Sequence, residues 1–195
     1  MKNNLLSDKL AYNGDTKTRT HLHLCSYTVD RVEEAAGDDF GEMKSRFQPD
    51  GITWLQIHGL EDTDAVQTVC THFGIDFLVM QDILNTDHAS KVEEHDQYNV
   101  IIAKQIMGGE AMQVSLVQGA DFVLTFQERD NDFFDDVMRA IRNNVLKIRT
   151  RQSDYLFSVL LNGLITGYMS VAAAISDGLE ELESALLADT GDRDI

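Results

Sequence analysis

The chain is 195 residues long, enough for one domain with a sizeable core and cramped for two. Against 16 Lys and Arg stand 33 Asp and Glu, a formal charge of −17, which repels nucleic-acid phosphates and anionic lipid headgroups and leaves cations as the natural company of the surface. Cys25 and Cys70 are isolated and lack CxxC spacing, so neither a zinc ribbon nor a disulfide framework is expected, and a reducing compartment fits.

Residues 1–19 are a polar lead-in without the apolar run of a secretory signal. The first strand is expected over 20–27, THLHLCSY, followed by an acidic stretch over 30–42 that holds a loop or a short helix. A second strand, ITWLQIHG, begins at Ile52. In LEDTDAVQTVCTHFG, Asp62 or Thr63 can cap a helix and Gly74 can close it, with Ala65, Val66, Val69, Cys70 and Phe73 on one face. FLVMQDILN continues as a short helix. QYNVIIAKQIM, MQVSLVQG and DFVLTFQE then read as three strands separated by glycine turns, close enough together for an antiparallel meander. FFDDVMRAIRNNV is helical by periodicity, with Phe134, Val137, Met138 and Ile141 on one side and with aspartates early and arginines late, as the helix dipole prefers. The basic stretch after it is expected as a solvated face, and one long helix runs from near Ser153 onward.

That helix begins with 22 residues, 155–176, that carry no charge and are long enough to span a bilayer. Leu161, Ile165, Tyr168, Ala172, Ile175, Leu179, Leu182 and Leu186 follow one another in steps of four and three, a heptad seam that passes into EELES without a break. Asn162, Thr166 and Ser170 trace a polar face beside it. The run is therefore expected as a buried, amphipathic helix of a soluble domain, with Gly163 and Gly167 permitting close packing. The rival is a single-span membrane protein with 155–176 inserted and KIRTR on the cytoplasmic side.

Sites of chemistry are sparse. No GxGxxG, P-loop, HExxH or GxSxG motif occurs, and the expectation is that the chain is not an enzyme. His21, His23 and Cys25 alternate along a strand, so all three share a face and each is a competent zinc ligand. At about 3.3 Å per residue the outer two lie roughly 13 Å apart, too far to share one ion, so a packed or half-exposed face is expected. Two groups of acids, Glu128, Asp130, Asp132, Asp135 and Asp136, and Asp82, Asp87, Glu93, Glu94 and Asp96, offer oxygen ligands to Mg²⁺ or Ca²⁺. They underlie an alternative reading as a metal-dependent hydrolase, although as solvated loops and caps they need no metal.

Taken in order, ITWLQIHGLEDTD, HFGIDFLVMQDILNTDHASKVEEHDQYNVIIAKQI, QVSLVQGADFVLTFQERDNDFFDDV and IRTRQSDYLF resemble the cytoplasmic domain of the CorA family of divalent-cation channels, which carry magnesium and cobalt and have a zinc-transporting branch. The resemblance runs from Ile52 to Glu183, and its most specific pieces are Phe73 to Asn85, Lys91 to Glu93 and Val123 to Arg129. It implies an α/β fold, a mixed sheet sandwiched between helices (α/β/α) over residues 20–152, with a long C-terminal helix over 153–195 that begins a stalk. It further implies a homopentamer in the full-length protein, in the cell inner or plasma membrane with this domain cytoplasmic. Two transmembrane helices with a Gly-Met-Asn signature are expected beyond Ile195. No nucleic-acid partner is implied.

The same resemblance implies a regulatory role, in which internal Mg²⁺ binds between subunits near the DILN block and holds the channel closed. Asp82 occupies the second acid position of that block and is the one residue expected to hold the metal. Gln81 stands where the family has its first acid, and Thr166 and Gly167 stand where it has an acid pair on the long helix. Mg²⁺ is the expected ion, regulatory and transported, with Co²⁺ or Zn²⁺ as the alternatives.

Overall fold

The structure, a computed structural model, describes residues 9–107 and 109–190. Its elements in chain order are β1 (His21–Tyr27), β2 (Val32–Gly37), α1 (Phe40–Lys44), β3 (Ile52–His58), α2 (Thr63–His72), α3 (Phe77–Leu84), β4 (Lys91–Glu94), β5 (Tyr98–Met107), β6 (Glu110–Gly119), β7 (Phe122–Gln127), α4 (Asp135–Arg142), a 3-10 segment (Val145–Thr150) and α5 (Ser153–Thr190). The strands form one mixed sheet in the order β2-β1-β3-β7-β6-β5-β4. Every pairing is antiparallel except β3 with β7, which are parallel. The expected meander is β5-β6-β7, extended by β4 at the edge.

β3 and β7 are buried along nearly their whole length, as strands covered on both faces must be. Alternation sends Leu22, Leu24, Leu55 and Ile57 to one face, where Val66, Val69, Val79 and Ile83 of α2 and α3 meet them. Cys25, Trp54, Leu116 and Val123 go to the other face, against Ile141 of α4 and Leu156, Leu160 and Leu164 of α5. Helices thus cover both faces, the expected α/β/α arrangement. Two strands escape the sequence pattern. β2 lies within the acidic stretch expected as a loop or helix, and β4 is only KVEE; both are edge strands whose polar residues protect unpaired backbone groups.

Local signals place the helix ends. Asp62 accepts a hydrogen bond from the Ala65 backbone N–H at 3.0 Å, capping α2, and Gly74 takes the left-handed conformation, φ +69°, just past its end. Residues before β1 are tied to the body as well. The Tyr12 hydroxyl donates to Glu128 Oε2 at 3.1 Å, Thr16 donates to the Glu128 carbonyl at 3.0 Å, and Glu128 Oε1 accepts the Gln113 backbone N–H at 2.9 Å.

The long helix corrects two expectations. Its buried stripe is Ser153, Leu156, Leu160 and Leu164, whereas Ile165, Tyr168, Ile175, Leu179 and Leu182 of the heptad seam are exposed in a single chain. An all-apolar stretch has no period to say which side meets the sheet, and only the first part of the helix lies on it, as far as Tyr168, whose hydroxyl donates to the Lys104 carbonyl. Nor does the chain itself need glycine in this helix: nothing lies within 4 Å of a Cβ built on Gly163, and the nearest atom to one on Gly167 is a Phe133 ring carbon at 3.8 Å.

Both thiols are fully buried, and burial pushes Cys25 and Cys70 up to about 12. Thiolate, the reactive form, is therefore nearly absent at pH 8. The folded chain should resist a disulfide reagent over many minutes at pH 8 and release two thiols per chain once urea unfolds it. Rapid labelling under native conditions would show that the packing around one of them is wrong.

Candidate functional site

Asp82 sits on α3, whose Val79, Met80, Ile83 and Leu84 are buried in the core. That burial turns the Asp82 carboxylate toward the rim, where it is 21% exposed. Lys91 at the start of β4 donates from Nζ to Asp82 Oδ2 at 2.6 Å and to Glu93 Oε1 at 2.9 Å. His88 Nε2 lies 3.2 Å from Asp82 Oδ1, with its Nδ1–H held by the Ala89 carbonyl at 2.7 Å. Alternating charge continues along the rim from Glu93 to His95 at 3.6 Å and from His95 to Asp76 at 3.5 Å. Burial works against the Lys91 ammonium, yet its hydrogen bonds to Asp82 and Glu93 prevail and hold its pKa above the ordinary lysine value. The same bond from Lys91 holds the Glu93 carboxyl below the usual range.

Mg²⁺ prefers near-octahedral oxygen ligands, including one or two carboxylates. Asp82 and Glu93 form such a pair, but an ammonium already bridges them. One chain therefore offers Mg²⁺ no ready site here, and the ion must displace Lys91 to enter. Thr166 and Gly167 do not complete the set. They lie on α5, which packs on the opposite face of the sheet from α3, and no contact among the described residues joins them to Asp82.

The acids named for a hydrolase do not converge either. Glu128 is spent on Tyr12 and Gln113, while Asp135 and Asp136 occupy the first turn of α4. Asp130 alone enters a cluster, and its partners are histidines. His21 at the start of β1 pairs in register with His58 at the end of β3, and His23 lies two residues along the same face. The ring centroids stand 5.0 Å apart for His21 and His23, 5.3 Å for His21 and His58, and 5.0 Å for His23 and His58. Asp130, in the loop after β7, places Oδ2 at 3.4 Å from His21 Nε2 and Oδ1 at 3.4 Å from His58 Nδ1. Burial pushes His58 down to about 4 and also lowers His23, so both rings are neutral at neutral pH.

These residues open on a cleft of about 340 Å³ that includes Gln56, Asn131 and Asp135. Cys25, the third member of the alternating set on β1, shares that face but is buried in the core further along the strand, where the strand rise puts it out of reach of an ion at His21. His58 and Asp130 were hidden from a sequence reading because only the pairing register and the return of the chain from β7 bring them to His21. The one available signal is that both strands carry a histidine at the end where an antiparallel pair would meet.

The third feature is α5 itself. By length and composition Ser153–Leu187 is able to cross a membrane, and only 17% of its most apolar window is buried within the chain. Leu156, Leu160 and Leu164 nonetheless belong to the same core cluster as Trp54 and Val123, so inserting residues 155–176 would dismantle one whole side of the sheet. The exposed apolar seam beyond residue 164 needs another cover.

Comparison with known proteins gives these features a setting. The family model described as "CorA-like Mg2+ transporter protein" matches residues 49–195. The chain is 32% identical over 192 residues to the "Cobalt/magnesium transport protein CorA" of Thermotoga maritima, covering 95% of this chain and 55% of that protein; it spans about half the length of that curated relative. Among solved structures it is similar to the soluble domain of CorA from Methanocaldococcus jannaschii, with a TM-score of 0.62 at 19% identity over 85% of this chain and 64% of that one. It is similar also to the full-length CmaX protein, with a TM-score of 0.68 at 11% identity over 93% of this chain and 55% of that one. At such identities the structural likenesses speak for the fold.

Proposed function

Because this chain belongs to the CorA family, we propose that it is the cytoplasmic regulatory domain of a divalent-cation channel that moves Mg²⁺, or Co²⁺ or Zn²⁺, down its electrochemical gradient. The full-length protein is a homopentamer in the cell inner or plasma membrane, and this domain sets its gate. The observation that carries the reading is the long helix: Leu179 and Leu182 are 61% and 63% exposed on a heptad seam, which is what copies of one helix bury against each other in a bundle. A net charge of −17 supports a surface that meets cations.

Gating works by population shift: internal ions favour the closed arrangement in proportion to how much more tightly they bind it. Asp82 is the regulatory metal residue, and it acts through competition. Lys91 occupies its carboxylate while internal Mg²⁺ is low; when Mg²⁺ is plentiful the ion takes the place of the ammonium, with further ligands from a neighbouring copy. The test is Mg²⁺ uptake by the full-length protein in vesicles, with internal Mg²⁺ varied. Asp82→Ala should raise the inhibitory concentration by about 5-fold or more, and Lys91→Met should lower it, as a coupling of one to three kcal/mol dictates. Unchanged inhibition in both variants would remove the role assigned to Asp82, and absence of divalent flux in the unmodified protein would overturn the channel reading.

A further inference from the structure

We propose that His21, His23 and Asp130 form a binding site for a borderline transition-metal ion of the zinc class, separate from Asp82 and from the path of any transported ion. His21, His23 and Asp130 each present a ligand atom, and these atoms all lie within 4.8 Å of one another. The His58 ring stacks on His21 and turns its Nδ1–H toward the Arg129 carbonyl and Asp130 Oδ1, both at 3.4 Å, so it supports the carboxylate and leaves the ligation to the other three.

The distances favour a metal over a plain ion-pair cluster. Charge-assisted hydrogen bonds contract to about 2.7–2.9 Å, whereas both contacts from Asp130 to the imidazoles stand at 3.4 Å. Ligands on a tetrahedral zinc ion, with bonds of about 2.0 Å, lie about 3.3 Å from each other. His21 and Asp130 therefore already stand at ligand-to-ligand spacing, with His23 inside 4.8 Å of both. Asp130 is largely exposed, so small rotations of its side chain bring it into contact with an ion between the rings.

The surrounding bonds prepare the ligands. His21 Nδ1 lies 3.1 Å from the Arg19 carbonyl; a carbonyl only accepts, so Nδ1 carries the hydrogen and Nε2 presents its lone pair to the cluster. This is how a second layer of contacts fixes a metal-binding histidine. Arg142, the basic residue on the cleft wall, is engaged by Glu34 through two bonds of 2.6 and 2.5 Å, which leaves Asp130 and Asp135 to set the sign of the local charge. Two imidazoles and one carboxylate, with water in the remaining position, select Zn²⁺, Co²⁺ or Ni²⁺ and discriminate against Mg²⁺, which prefers oxygen and keeps its waters.

The test is equilibrium dialysis of the 195-residue chain with Zn²⁺ in the presence of excess Mg²⁺, paired with Co²⁺ absorption spectroscopy. The expected result is one Zn²⁺ per chain that Mg²⁺ does not displace, and visible ligand-field bands of four-coordinate Co²⁺ that Zn²⁺ bleaches. His21→Asn and Asp130→Asn, neither of them a buried side chain, should each weaken Zn²⁺ by about 100-fold while native thiol protection persists, so that loss of fold is told apart from loss of ligand. Asp82→Ala should leave Zn²⁺ binding unchanged, which separates this site from the regulatory reading. Absence of stoichiometric Zn²⁺ binding, or binding that survives both variants, would overturn the proposal.

Discussion

Leu160→Ala should destabilise the chain by about 2 to 5 kcal/mol, the range for truncating a buried leucine that leaves a cavity. Leu160 is wholly buried beneath the sheet with Leu156, Leu164, Trp54 and Ile141. Domains of this size are stable by about 5–15 kcal/mol, so the loss is large, and urea unfolding followed by tryptophan fluorescence should report it. Trp54, the sole tryptophan, lies in the same cluster. The experiment also decides between the two readings of the uncharged run. A residue inserted in lipid would contribute nothing to the stability of the soluble sheet, so an unchanged midpoint would revive the single-span reading.

Glutamate at both Leu179 and Leu182 should have the opposite profile. Each side chain is mostly exposed in one chain, and surface changes of this kind alter stability by about 0.5 kcal/mol or less. In the assembled protein each substitution brings like charges together around the bundle, at a cost of several kcal/mol. The double variant should therefore fold normally as a domain, yet full-length protein carrying it should migrate as smaller species on size exclusion with light scattering and lose divalent flux. Intact assembly would mean that the seam is not the contact between copies.

Much of the fold was legible because it rests on local rules. Alternation in THLHLCSY and ITWLQIHG, the Asp62 cap and the turns between the meander strands each act within a few residues. What escaped depends on neighbours far along the chain. β2 and β4 are strands because β1 and β5 offer them free edges, and their polar composition suits that edge and conceals the strand. The seam of α5 was visible, but the side turned to the sheet was not, since leucines occur all round it. At the rim Asp82 stood out and its captor Lys91 did not, because a turn of nine residues has to fold back before the pair meets. The histidines required still more: a strand register and a loop returning from β7.

The long helix also has a mechanical meaning. With 38 residues at 1.5 Å each it is about 57 Å long, and the sheet holds it from Leu156 to Tyr168, whose hydroxyl donates to the Lys104 carbonyl of β5. Some 22 residues project beyond that grip, about 33 Å of lever arm. A tilt of about 5° at the gripped end swings the far end by about 3 Å. Small repacking of Leu156, Leu160 and Leu164 against the sheet therefore emerges magnified at the tip, and the stiffness of that first contact sets how faithfully the displacement is delivered.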